Sequence, residues 1–165
     1  MTAKDKRLQE EHLIYLSLGS NITPLKNLPR AVAMLRHYGE IIAVSSVWDT
    51  PPYGMTGPRF LNASLAVTTL FPPTQFKNLA LRRIEIMMGR VRTYDKNAPR
   101  PIDLDIVIAD GWIADSNIWD RPHLAVPLGE LLPGLTHPTR GITLAQIAQT
   151  FLLNEDIRPC LEIKL

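Results

Sequence analysis

The sequence has 165 residues, of which 45% are apolar and 21% charged, and 18 basic against 16 acidic side chains leave a net charge of +2. That balance excludes a disordered chain and a collagen-like repeat, suits one domain with a core large enough to need no staple, and gives no ground for nucleic-acid binding. The one cysteine, Cys160, excludes an internal disulfide framework and points to a reducing cytoplasm, and no apolar run reaches the ~18–20 residues of a membrane span.

Residues 1–12 are polar without an apolar face and read as a flexible extension, which leaves 13–165 as the single domain. The apolar run 13–18 ends at Gly19-Ser20-Asn21 and predicts a buried strand followed by a turn. Thr23 is placed as an N-cap and Pro24 as the first helical position. Leu28, Ala31, Val32 and Leu35 then supply one buried stripe of a helix that runs to about His37 and ends by Gly39. Residues 41–50, rich in β-branched side chains, predict a second strand, halted by Pro51-Pro52, and 51–58 a constrained loop. Along 60–70 the pattern alternates, Leu61, Ala63, Leu65 and Val67 on one side and Phe60, Asn62 and Ser64 on the other. Pro72-Pro73-Thr74 opens a second helix to about Met88, with Phe76, Leu79, Ala80, Ile84 and Met87 as its buried stripe and Gly89 as its stop. A polar loop over 90–100 leads into a strand at 101–108. The order β-α-β-β-α-β predicts an α+β fold with a ferredoxin-like core and an antiparallel sheet. Residues 109–165 read as a C-terminal appendage, with an irregular proline-rich stretch and a short amphipathic helix near 143–151.

The chemistry concentrates between residues 84 and 108. Asp103 and Asp105 are two apart on a strand, so both carboxylates leave the same face, opposite Ile102, Leu104 and Ile106. Two adjacent carboxylates with few further donors suit Mg²⁺ that also binds substrate phosphates. Arg90, Arg92 and Arg100 surround the loop that feeds this strand, and planar guanidinium forks match phosphate oxygens. On the third expected strand, whose polar face is read as continuing that of the aspartates, Phe60 beside Asn62 offers an aromatic plane and an amide, the combination a flat heterocycle with donor and acceptor edges uses.

Together, G-S-N at 19–21, T-P-P at 50–52, F-L-N-A at 60–63, and I-E-x-x-x-G-R-x-R then P-R-x-I-D-L-D-I across 84–106 carry a resemblance. Over roughly residues 13–153 the chain resembles the 6-hydroxymethyl-7,8-dihydropterin pyrophosphokinases of folate biosynthesis. The resemblance implies transfer of the pyrophosphoryl group of ATP to the hydroxymethyl oxygen of a reduced pterin, with release of AMP. It implies that Asp103 and Asp105 hold two Mg²⁺ ions, and that Arg90, Arg92 and Arg100 contact phosphates, the first two from a lid. Glu85 would lie near the nucleotide. Thr50, Pro51, Tyr53, Phe60 and Asn62, with Asp103 at the edge, would line the pterin pocket, Phe60 stacking and Asn62 bonding the ring. Small molecules, ATP and the pterin, are then the partners, with neither nucleic acid nor membrane.

The chain departs from its relatives after Pro122-His123, where a segment of some eight residues is shortened, and at Asn97, where many relatives have tryptophan. Aligned forward from Asp105, His123 takes the place of a nucleotide-contacting histidine; this keeps the Pro-His pair together and is preferred on that ground. Aligned backward from Pro127-Leu128, Arg121 takes the arginine's place among the nucleotide contacts and His123 falls where a stacking aromatic belongs. The shortening leaves two alternatives open: the same transfer onto a bulkier pterin of a related coenzyme pathway, or a catalytically weak pterin- and nucleotide-binding homologue.

Overall fold

A computed structural model describes residues 10–54, 56–91, 94 and 98–165. Its centre is β1 (His12–Ser20), flanked on one side by β4 (Phe60–Thr69) and on the other by β5 (Asp103–Ala109), both antiparallel. Beyond β4 come β2 (Glu40–Val44) and β3 (Trp48–Thr50), and beyond β5 the short β6 (Trp112–Ile113). A two-residue strand, β7 (Arg158–Pro159), pairs with β3 at the far edge. The order β5-β1-β4-β3 is the one a β-α-β-β-α-β unit produces, so the expected ferredoxin-like core is present.

One sheet face packs against α1 (Pro24–Leu35) and the second helical segment, burying Leu16, Leu18, Ala63 and Leu65 with Leu28, Leu35, Phe76 and Ile84. The other is covered where α4 (Pro122–Leu131) and α5 (Leu144–Asn154) join Val107, Ile108, Ile118 and Trp119 in a second apolar cluster. This second layer explains why β4 is buried on both faces, Asn62 and Ser64 included.

Several local expectations are corrected. Thr23 does not cap α1: it adopts a left-handed conformation (φ +40°) and makes no side-chain cap bond. The entering turn is held instead by Ser20 Oγ, which donates to the Pro101 carbonyl at 2.6 Å, and by Asn27 Nδ2, which donates to that of Ile22 at 2.7 Å. The strand expected over 41–50 is two strands, separated at Ser45, whose Oγ accepts from the Ser64 N–H at 2.8 Å. Leu79 and Met87 are exposed, because a π-helical turn (Lys77–Leu81) lies between α2 (Pro73–Phe76) and α3 (Arg82–Met87). One extra residue in that turn moves the buried stripe onto Ala80, Leu81, Ile84 and Met88.

β5, the strand expected from residue 101, begins at Asp103, two residues later. The proline-rich stretch is not irregular: Ser116–Trp119 form a 3₁₀ turn and α4 follows, with Pro122 in its first turn, where a missing N–H costs nothing. Gly129 lets α5 close on α4, since a Cβ there would lie 3.1 Å from that of Ala148. Thr143 caps α5 in a reciprocal box with Gln146. The extension expected over 1–12 falls largely outside the described residues, although His12 already belongs to β1 and bonds Asp110.

Candidate active site

The floor of the site follows from strand register. Gly19 on β1 is the partner of Asn62 on one side and Asp103 on the other, and Ser17 likewise faces Ser64 and Asp105. Residues two apart share a face, so Asn62, Asp103 and Asp105 turn towards the layer of α4 rather than that of α1. They meet in a cavity of about 400 Å³ that also receives Thr50, Pro51, Tyr53, Phe60, Arg100, Arg121 and His123.

At one end, Asn62 is 3% exposed and donates through Nδ2 to Thr50 Oγ1 at 2.8 Å. This fixes the amide's orientation, and among the described residues nothing donates to its Oδ1. The absence of a side chain at Gly19 makes room for that oxygen, which lies 2.9 Å from where a Cβ would stand. Phe60 lies at the start of the same strand, and Pro51 and Tyr53 close the rim from the loop after β3.

At the other end, the charges are arranged around Asp103. Arg100 Nη1 donates to Asp103 Oδ2 at 2.6 Å, and Arg90 Nη1 donates to both Asp103 Oδ1 and Glu85 Oε1. Glu85, brought inward after the π turn, is 3% exposed and also accepts from the Leu104 N–H at 3.0 Å. Arg90 and Glu85 thus act behind the cavity wall, through Asp103. The Arg90 guanidinium is held above its ordinary pKa: burial works against its charge, and Asp103 and Glu85 more than compensate.

Asp105 accepts no hydrogen bond among the described residues. It is exposed, and it also lines the cleft. Its pKa is raised, first by lost hydration and then by the nearby Asp103 and Glu85, with Lys77 and Arg90 opposing. A cation beside it would relieve both effects. Among the described residues no group of three or more histidine, cysteine or carboxylate side chains is built to hold a metal alone. Asp103 and Asp105 therefore fit a hard divalent cation that completes its shell with water and substrate oxygens, the habit of Mg²⁺.

The roof comes from the start of α4 and the turn before it. His123 lies 5.8 Å from Tyr53 between ring centroids, and the Arg121 guanidinium carbon lies 5.2 Å above the centre of the same ring. Burial first, and the Arg121 charge second, lower the His123 pKa to about 4, so its imidazole is neutral near pH 7. It lies beside Tyr53, in one cavity with Phe60, Asn62 and Arg121. Arg92 and Asn97 lie outside the described residues. Ser17, Asp115 and Leu124, which the sequence does not mark, also line the cavity, as does Gly19 of the G-S-N motif. Beyond that motif Gly19 was readable as a turn residue only; the inward placement of Asp115 depends on the 3₁₀ turn it caps through Asn117 N, at 2.9 Å.

Comparison with known proteins follows the same lines. The profile of the family described as 7,8-dihydro-6-hydroxymethylpterin-pyrophosphokinase matches residues 15–133. A Helicobacter pylori 2-amino-4-hydroxy-6-hydroxymethyldihydropteridine pyrophosphokinase is 35% identical over 123 residues, covering 72% of this chain and 75% of that protein. A folate synthesis bifunctional protein of Arabidopsis thaliana is 35% identical over 130 residues, 72% of this chain, but the chain spans only 27% of its length. The chain spans 21% of a Dictyostelium discoideum folic acid synthesis protein, to which it is 30% identical. A crystal structure of Plasmodium falciparum HPPK-DHPS shares the fold, with a TM-score of 0.69 at 12% identity over 90% of this chain and 47% of that one.

Proposed function

The chain belongs to the 7,8-dihydro-6-hydroxymethylpterin-pyrophosphokinase family, and from that premise we propose that it transfers pyrophosphate from ATP to 6-hydroxymethyl-7,8-dihydropterin in folate biosynthesis. The observation that carries the reading is the single cavity in which a fixed amide beside an aromatic ring, Asn62 and Phe60, faces a carboxylate pair with arginines, Asp103, Asp105 and Arg100. A flat heterocycle fits the first end and a metal-bound polyphosphate the second.

In this reading residues 13–165 work as one catalytic domain. Thr50 orients Asn62, whose Oδ1 accepts from the donor edge of the pterin, while Phe60 and the neutral ring of His123 lie on its faces and Tyr53 closes the rim. Asp103 and Asp105 would hold Mg²⁺, two ions in the full complex, and the chemistry it would supply there is neutralisation of the phosphate charge. Arg100 and Arg121 supply fixed positive charge to the same phosphates, and Arg90 acts behind them by holding Asp103. The hydroxymethyl oxygen forms the new bond to the β-phosphorus, the bond from that phosphorus to the oxygen of the α-phosphate breaks, AMP leaves, and the hydroxyl proton is lost. Such a transfer asks for alignment and charge neutralisation, and no side-chain nucleophile is required. A cytoplasmic setting accords with the one free cysteine, and no helix among the described residues is long and apolar enough to cross a membrane.

The test is release of AMP from ATP by the purified protein, with Mg²⁺ and 6-hydroxymethyl-7,8-dihydropterin. Stoichiometric AMP and pterin pyrophosphate support the reading. Turnover only with a larger hydroxyalkyl pterin would replace the substrate, and binding of both ligands without turnover would make the chain a non-catalytic homologue.

A further inference from the structure

Arg59 stands just outside the cavity, on the residue before Phe60, and its guanidinium joins three segments. Nε donates to Asp49 Oδ1 at 2.6 Å and Nη2 to the Asp49 carbonyl at 3.3 Å, tying together the two ends of the loop that carries Pro51 and Tyr53. The same group reaches across to the C-terminal segment, where Nη1 donates to Asp156 Oδ2 at 2.9 Å and Nη2 to the Asp156 carbonyl at 2.8 Å. Arg158 bonds the other carboxylate oxygen of Asp156, at 2.9 Å. From Asp156 the chain runs along the outside of β3: Asp49 pairs with Arg158, Trp48 with Pro159, and the Cys160 N–H donates to the Val47 carbonyl at 2.8 Å.

β3 has only three residues, and its last, Thr50, is the one whose hydroxyl holds Asn62. On its inner side β3 pairs with β4 at all three residues, and its outer side is covered at Trp48 and Asp49. That cover is the C-terminal segment, fastened by a planar donor that serves two carboxylates and two carbonyls at once, a geometry lysine cannot reproduce.

We propose that Arg59, clamped between Asp49 and Asp156, is a positioning residue for the pterin end of the site, through which the C-terminal segment holds Thr50 and thereby Asn62 in register. The inference rests on the pterin reading above. It touches none of the groups at the phosphate end, so its effect is selective. Arg59→Ala raises the dissociation constant for the pterin about tenfold, as coupled hydrogen-bonded networks do when one member is lost, and leaves that for Mg²⁺·ATP unchanged. Arg59→Lys does not restore pterin affinity. The clamp is made of partly exposed ion pairs, whereas the pterin is uncharged. Raising salt from about 0.05 to 0.5 M therefore weakens pterin binding to the wild type, but not to Arg59→Ala, as screening requires.

Calorimetric titration of wild type, Arg59→Ala, Arg59→Lys and Asp156→Asn with 6-hydroxymethyl-7,8-dihydropterin and, separately, with Mg²⁺ and a non-hydrolysable ATP analogue decides the matter. Asp156→Asn serves if Arg59→Ala does not fold; it leaves the backbone contact intact and gives a smaller shift of the same sign. A wild type that fails to bind the pterin removes the substrate reading, and this inference with it. A wild type that binds, beside variants of equal pterin affinity or with both ligands weakened alike, overturns the clamp alone.

Discussion

Replacing Gly19 by alanine tests the pterin end without touching any group that bonds the ligand. The new methyl carbon would stand 2.9 Å from Asn62 Oδ1 and 3.8 Å from Phe60 Cδ1, so the ring can stay where it is and the amide cannot. Ordinary contact begins near 3.4 Å, so the oxygen must retreat by about half an ångström. The side chain is 3% exposed and is held at its other end by Thr50, so it has little freedom to do so. Turning the amide off its rotamer costs about 0.5–1.5 kcal/mol, and loosening one hydrogen bond about 1 kcal/mol more. A total near 2 kcal/mol corresponds to pterin binding weakened roughly thirtyfold. Calorimetry with each ligand in turn is the assay: pterin affinity falls by that order, affinity for the nucleotide analogue holds, and far-UV circular dichroism is unchanged. Asn62→Ala gives a loss in the same direction, tenfold or more. If Gly19→Ala binds the pterin within a factor of two of the wild type, Asn62 does not read the ring.

Two further outcomes follow from the charged groups. Asp105→Ala lowers turnover at least ~10³-fold by removing one of the two proposed metal ligands, with the fold intact because Leu104 and Ile102 remain buried; near-normal AMP release by the purified variant would remove the metal assignment. His123 has a folded pKa of about 4 against an ordinary 6.5. Between those values the unfolded chain takes up a proton that the folded one refuses, so stability falls as pH drops through that window. His123→Gln abolishes this contribution, and thermal melts show the gap between variant and wild type shifting in the variant's favour from pH 7 to pH 4; parallel melting curves would contradict the burial of the ring.

The sequence disclosed those parts of the site whose geometry is local. Asp103 and Asp105 share a face because strands alternate, and the Phe60-Asn62 pair follows from the same rule on β4. The parts it concealed depend on distant contacts. Nothing near His123 announces a helix in a segment with two prolines. α4 exists because Pro122 occupies a first-turn position and its apolar face meets the sheet and α5. With that helix unread, His123 and Arg121 could be aligned either way. The role of Gly19 depends on the two strands that flank it, and that of Arg59 on a segment 97 residues further along the chain.

The π turn at Lys77–Leu81 has a consequence for how this helix tolerates changes in length. A π turn absorbs one additional residue while the flanking turns keep their facing. Lys77, Asn78 and Leu79 are all exposed, so shortening the chain by one of them relaxes the turn to ordinary α geometry and leaves Glu85 beneath Arg90. The same deletion made after Leu81 has no slack to draw on. It swings the following residues by about 100° and puts an apolar side chain where the carboxylate stood. Along a few turns of one helix, the chain is elastic in length on one side of Arg82 and rigid on the other.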